Sequence, residues 1–301
     1  MPIRIGESVR AALDERRGVV ALETTLIVHG LPRPENLEVA YELEEIIAET
    51  GAVPATIGVV EGVPVVGLSR DEIAHLACSS DPVAKLSTRD LGLAIARGID
   101  GATTVASTIT LAARAGVAVM ATGGIGGVHR RARDTYDESA DLIALHEEPA
   151  LVVCSGVKSI LDISATLERL ESLSVPVTGY RTDTFPGFYV RTTGYPLNWR
   201  LDSPAAAAAA YRGHRALSQT AMVLANPVPD ADALGDEIHR NALADAEERA
   251  AAAAIHGKDV TPFLLASFAE YTKGESVRAN RSLVRANARL AGEVADALAS
   301  R

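Results

Sequence analysis

Short runs of Val, Ala, Ile and Leu alternate with helix-patterned stretches along the whole chain, and this alternation restricts the fold more than any other feature. Runs this short and this uniformly apolar read as strands buried on both faces, as in sheets covered by helices. Residues 18–22 predict a strand and 34–50 a helix closed by Gly51. Residues 55–60 and 63–67 flank Glu61-Gly62 as a hairpin. Ser87-Thr88-Arg89-Asp90 has the form of a capping box, opening a helix that stops at Gly98. Runs at 117–121, 151–153, 175–180 and 222–225 complete the strand set. The expected fold is α/β: three layers, α/β/α, around a mainly parallel or mixed sheet.

After Thr182 the texture changes. Residues 183–203 hold five of the twelve aromatics together with Pro breaks, and they predict a long ordered loop of the kind that shapes active sites. From Pro204 the chain is Ala-rich and helical. No repeat or flexible linker interrupts residues 1–301, so one domain is expected. With 48% hydrophobic but only 4% aromatic residues, its core must be aliphatic.

A net charge of −10 argues against a nucleic-acid partner, while leaving room for a locally basic pocket that takes a small anion. Cys78 and Cys154 are too few for a disulfide framework or a thiolate metal site. Charge interrupts the N-terminal segment before any apolar core, and no run approaches the ~18 apolar residues of a membrane span. A cytoplasmic protein with no membrane partner is expected.

Of the 29 basic residues only Lys85, Lys158, Lys258 and Lys273 are lysines, leaving 25 arginines. Where Arg serves as the general surface cation, a lysine at the end of an apolar run calls for its own explanation. Arg stays protonated, whereas Lys can lose its proton and attack a carbonyl. Lys158 follows the strand at 151–153 through a Ser-Gly turn, the place where open α/β sheets set reactive groups. A lysine whose stem lies along apolar surface with its amine in water is the plainer alternative. Glu23 closes the first strand and could act as general acid or base, and Lys85 also follows an apolar step.

Gly123-Gly124-Ile125-Gly126-Gly127-Val128-His129-Arg130 follows a strand directly. Glycines there let backbone N–H groups approach an anion, such as a phosphate. A purely structural turn is the alternative. Asp137 and Asp141 lie four apart, hence on one face if helical, and could bind a divalent cation or complement a helix dipole. No serine sits in a Gly-x-Ser-x-Gly elbow and no His-Glu-x-x-His helix occurs. These residues point to an enzyme that uses a lysine amine on a phosphorylated carbonyl compound. Aldolase, lyase and glycosidase all remain open, as does a silent phosphosugar-binding protein.

Several segments together resemble the pseudouridine-5′-phosphate glycosidase family, also called indigoidine-synthase-A-like. They are Ala21-Leu-Glu-Thr-Thr25, His29-Gly-Leu-Pro-Arg-Pro-Glu-Asn36, Gly101-Ala-Thr-Thr-Val-Ala-Ser-Thr-Ile109 and Ala121-Thr-Gly-Gly-Ile-Gly-Gly-Val-His-Arg130. Asp137-Glu-Ser-Ala-Asp-Leu142, Cys154-Ser-Gly-Val-Lys-Ser-Ile-Leu-Asp162, Arg200-Leu-Asp-Ser203, Ala225-Asn-Pro-Val-Pro229 and Gly257-Lys258 with Thr261-Pro-Phe-Leu-Leu265 continue the match in order.

The resemblance implies reversible conversion of pseudouridine 5′-phosphate to uracil and ribose 5-phosphate. The bond broken is carbon–carbon, so the paired-carboxylate chemistry of ordinary glycosidases does not suffice. An amine can instead help open the ribose ring and form a Schiff base at C1′ while the base carbon departs and is protonated. By resemblance Lys158 is the nucleophile, Glu23 the proton donor and Asp137 the ligand of a divalent metal, usually Mn²⁺. Substrate contacts fall on Lys85, Val105, Ser139, Ala140 and Asp141, with His129 and Thr122 as further candidates for the phosphate. A homotrimer is implied, and one carboxylate leaves most metal positions to water.

Three positions depart from the family's pattern. Thr24 stands where Ser is usual, Arg131 where Gly is usual, and Ala286-Asn287 where an Asn-Asn pair is usual. They bear on the choice of base. The alternative is a C-ribosyl synthase that joins ribose 5-phosphate to another aromatic acceptor in natural-product biosynthesis.

Overall fold

The protein is described by a computed structural model covering residues 3–253, 255 and 260–300. Gly257-Lys258 of the last family segment lies outside the described residues. In chain order the strands are β1 (Arg4–Ile5), β2 (Val19–Glu23), β3 (Val53–Val60), β4 (Val63–Val66), β5 (Ala84–Leu86), β6 (Gly101–Thr103), β7 (Val119–Ala121), β8 (Leu151–Cys154), β9 (Val177–Tyr180), β10 (Arg200–Leu201) and β11 (Met222–Ala225). The helices are α1 (Glu7–Asp14), α2 (Glu35–Glu49), α3 (Arg70–Cys78), α4 (Thr88–Arg97), α5 (Val105–Ala115), α6 (Ala132–Thr135), α7 (Ala140–Glu147), α8 (Ile163–Ser172), α9 (Pro204–Arg215), α10 (Asp236–Ala252), α11 (Val260–Tyr271) and α12 (Glu275–Ala299).

The strands form one sheet in the order β1-β4-β3-β2-β7-β8-β11-β9-β10, with β6 on β3 and β5 on β6. Pairing is parallel except where β3 meets β4 and β6. The sheet is therefore mixed, and helices on both faces make the three-layer α/β/α fold. The helix at 34–50 ends at Thr50 before Gly51 (φ +91°), and α4 ends at Gly98 (φ +63°), as their sequences predict. At the predicted capping box Asp90 accepts from the Ser87 N–H at 3.0 Å.

The four parallel strands β2, β7, β8 and β11 are buried along their length, which is why each reads as an unbroken apolar run. α12 covers one face of their sheet and packs against α2 and α9. Its buried stripe includes Ala279, Leu283, Val284, Ala288, Ala291 and Val294 at helical spacing. Burying a side chain such as Leu283 contributes about 1.5–3 kcal/mol. The helix comes so close that a Cβ on Gly18 would lie 2.5 Å from the Ala295 carbonyl carbon. Among the described residues no helix is long and apolar enough to cross a membrane.

The edge of β3 holds an unusual junction. β2 pairs with β3 as far as Glu23↔Ile57 and stops. β6 then takes the same edge from the opposite direction, with Gly58↔Ala102 and Val59↔Gly101. Two strands thus point their C-terminal ends at each other opposite Ile57.

Candidate active site

β2, β7 and β8 end side by side, and each hands the chain to a residue of chemical interest. Glu23, the last residue of β2, is only 8% exposed, and its Oε1 accepts the hydroxyl of Thr122 from just beyond β7. Burial raises its pKa above the ordinary carboxylate value. The Lys158 charge, the Thr122 hydrogen bond and Lys85 pull it down, and Asp141 pushes it up. Burial dominates, so Glu23 holds its proton to higher pH than a surface glutamate. A small, mostly apolar cavity lies beside it, bounded by Leu22, Leu26, Leu43, Ala121, Thr122 and Val284.

Past β7 and β8 the chain continues as two loops that stay in contact. The Ser155 N–H donates to the Gly123 carbonyl, Ile125 to Gly156, and Lys158 to Ile125, at 2.8, 3.0 and 3.1 Å. These bonds hold the half-buried Lys158 beside the glycine-rich turn. Its charge is felt by Glu23, His129 and Cys154. From the 183–203 loop, Phe188 closes over Gly124, and its N–H donates to the Ser155 carbonyl. That loop does buttress the site loops, as its sequence suggests.

Part of the backbone of the glycine-rich turn is already engaged within the protein. The N–H groups of Thr122, Ile125, Gly126, Val128 and His129 are all taken within the protein, by Val153, Gly156, Asp141, Thr166 and Asp137. One of these acceptors is the carboxylate of Asp141. This buried carboxylate accepts from Gly126 at 2.8 Å through one oxygen and from Ala106, in the first turn of α5, at 2.9 Å through the other. A Cβ on Gly126 would lie 2.2 Å from Ser139 Oγ, so a side chain there would break the arrangement.

Asp137 and Asp141 do not share a helix face. Ser139 is the N-cap of α7, its Oγ accepting from the Asp141 N–H, so the helix begins after Asp137. Asp141 is buried in the first turn, with exposed Ala140 before it. Asp137 stays half-buried on the loop, its Oδ2 3.8 Å from His129 Nδ1. Among the described residues no group of three or more His, Cys, Asp or Glu converges. With Glu23 and Asp141 engaged, Asp137 is the site carboxylate open to a hard cation, which would keep water in most of its positions.

Lys85 lies inside β5, which pairs with β6 in the register Lys85↔Ala102. Val105 opens α5 directly after β6, buried behind the N-cap Thr104. Two histidines share this side. Desolvation and then Lys85 push His29 below the ordinary imidazole value, against a hydrogen bond to the Val83 backbone. Burial lowers His129 most, with Lys85 and Lys158 adding to it and Asp137 opposing.

Sequence reasoning passed over Asn280 and gave no contacts to Asn287, the two asparagines on the buried stripe of α12. Asn287 Nδ2 donates to the Thr122 carbonyl at 2.8 Å and to Ser155 Oγ at 3.1 Å, and its Oδ1 accepts from Asn226 at 3.0 Å. It ties together the ends of β7, β8 and β11. Two turns earlier, Asn280 is 7% exposed, its Oδ1 has no partner, and that oxygen lies 3.4 Å from where a Gly123 Cβ would stand. The available signal was periodic: both fall on positions where α12 is otherwise apolar. The three departures are accommodated. Thr24 keeps a buried hydroxyl, Arg131 is exposed with φ −104°, open to any residue, and Asn287 retains its bonds beside half-buried Ala286.

The family model for indigoidine synthase A-like proteins matches residues 8–297. A protein of Salinispora tropica named pseudouridine-5′-phosphate glycosidase is 51% identical over 99% of this chain and 93% of its own. One of the same name from Roseiflexus sp. is 52% identical over 99% and 96%. Among solved structures, the prealnumycin C-glycosynthase AlnA in complex with ribulose 5-phosphate superposes with a TM-score of 0.92 at 41% identity, covering 99% of this chain and 97% of that one.

Proposed function

The chain belongs to the indigoidine synthase A-like family, and from that membership we propose that it reversibly cleaves the carbon–carbon glycosidic bond of pseudouridine 5′-phosphate, giving uracil and ribose 5-phosphate. One observation carries the reading. A buried carboxyl with a raised pKa, Glu23 at the end of β2, stands within electrostatic reach of the Lys158 amine, on the loop after β8, with β7 between the two strands. Relatives of about half-identical sequence over nearly the whole chain carry the glycosidase name.

Lys158 Nζ bonds to C1′ as the C1′–O4′ ring bond opens, and a proton passes from the nitrogen to O4′, which leaves as the 4′-hydroxyl. Glu23 then protonates C5 of the base as the C1′–C5 bond breaks. The pair of that bond forms the new C–H bond, and the nitrogen lone pair forms the imine. Water hydrolyses the imine, which releases ribose 5-phosphate and restores the amine. Asn280, with its buried Oδ1 beside Gly123, offers a desolvated amide for recognition of the base. Lys85 and the start of α5 at Val105 lie on the side suited to the phosphate. Ser139, Ala140 and Asp141 shape that side, Asp141 through the α5 N-terminus and the turn it joins.

Asp137, with His129 nearby, would hold the divalent metal, most simply Mn²⁺, which supplies positive charge toward the anionic substrate. A cytoplasmic homotrimer completes the reading. Leu93 (65% exposed) and Trp199 (68%) provide apolar surface for a partner copy. The second reading, a C-ribosyl synthase with another aromatic acceptor, draws on the likeness to AlnA.

The test is incubation with pseudouridine 5′-phosphate and Mn²⁺ while following uracil. Release of uracil, and its consumption with ribose 5-phosphate in reverse, supports the first reading. Reaction of ribose 5-phosphate only with a quinone-like acceptor supports the second.

A further inference from the structure

The junction on β3 places two buried threonines between the ends of β2 and β6. Thr24 Oγ1 donates to the Ile57 carbonyl at 2.8 Å, and Thr103 Oγ1 donates to the same carbonyl at 2.7 Å. The Thr103 N–H donates to Thr24 Oγ1 at 2.8 Å, and Thr108 of α5 adds its hydroxyl to Thr103 Oγ1 at 2.9 Å. Thr24, Thr103 and Thr108 are all 0% exposed. No sheet ladder crosses between β2 and β6, since both end opposite Ile57. The hydroxyls take the place of the missing ladder.

The two segments joined here carry different parts of the site. Glu23 immediately precedes Thr24. Thr103 leads within two residues to Val105, and the residue before it, Ala102, is in register with Lys85. Ser107 secures the same frame by donating to the Leu86 carbonyl at 2.7 Å. The end of β2 is therefore fixed to the frame of β3, β6 and α5 through one side-chain oxygen that both donates and accepts.

We infer that Thr24 is a positioning residue for the reaction: its hydroxyl docks the Glu23 end of β2 onto Ile57 and Thr103, and so sets the carboxyl against the bond to be broken. The inference rests on the proposed roles of Glu23 and Lys158. Displacing a proton donor by about 1 Å can lower turnover by roughly a hundredfold while binding is unchanged. Serine carries the same hydroxyl and can make the same bonds. Valine has threonine's shape and can make none of them.

The test compares wild type, Thr24→Val and Thr24→Ser in three measurements: uracil release from pseudouridine 5′-phosphate, borohydride trapping of ribose 5-phosphate on Lys158, and thermal unfolding. Thr24→Val is expected to lose about 10- to 100-fold in kcat with KM and trapped adduct near wild type, because adduct formation does not need Glu23. Thr24→Ser should recover most of that turnover. Undiminished kcat in Thr24→Val would overturn the inference. So would parallel loss of adduct and turnover in step with the folded fraction, since that marks a purely structural role. A wild type that forms the adduct but releases no uracil would overturn the functional reading, and the inference with it.

Discussion

Thr122, one residue past β7, gives its hydroxyl to Oε1 of Glu23, the last residue of β2, at 2.5 Å. The bond joins the ends of neighbouring strands at the carboxyl proposed as the proton donor. Burial and this hydrogen bond act on Glu23 in opposite directions, and burial is the larger.

Glu23→Gln keeps the shape and an acceptor for Thr122 but removes the acid. Uracil release should fall by about 10²- to 10⁴-fold, measured by steady-state kinetics. The variant should also be the more stable protein at high pH. The folded-state pKa of Glu23 lies above the ordinary carboxylate value, so between the two the native state holds a proton that the unfolded chain has lost. Wild-type stability therefore falls as pH rises through that window, and the glutamine variant lacks the effect. Its advantage in Tm should widen as pH rises above the ordinary carboxylate range, a trend read by calorimetry.

The same reasoning fixes the pH profile. A proton donor is lost as pH rises through its pKa, so kcat should decline on the alkaline side. Thr122→Val removes a bond that favours the carboxylate, which raises the Glu23 pKa further. The alkaline limb of that variant should move to higher pH, and a shift to lower pH would contradict the assignment.

Asp137→Asn should weaken Mn²⁺ binding by about tenfold or more, roughly 1.4 kcal/mol, in a calorimetric titration. Because Asp137 is half-buried on a loop, unfolding of the metal-free protein should change by less than about 0.5 kcal/mol. Equal Mn²⁺ affinity in both proteins would place the metal elsewhere.

Asp141→Asn behaves differently. Both carboxylate oxygens accept backbone N–H groups in a buried setting, so an amide NH₂ must face either Gly126 or Ala106. The loss should be about 1–3 kcal/mol in urea unfolding.

The buried strands were legible because sheets covered on both faces need uninterrupted apolar runs, as at residues 151–154. β5 and β6 were not, since each has only three residues and takes its place from pairing rather than from its own pattern. The spacing of Asp137 and Asp141 suggested one helix face, but the Ser139 cap starts the helix between them. The glycine-rich turn has the composition of an anion site, yet the Gly126 N–H is taken by Asp141 from 15 residues away, which local sequence does not disclose. Lys158 and Glu23 were legible because each stands at the end of an apolar run.

The central claim is that Lys158 carries the sugar. The protein, incubated with pseudouridine 5′-phosphate and borohydride and then digested for mass spectrometry, should yield a five-carbon phosphate adduct on the Lys158 peptide, with uracil released alongside. Lys158→Ala should give neither. Uracil release from Lys158→Ala, or a wild-type adduct on another lysine, would contradict the account.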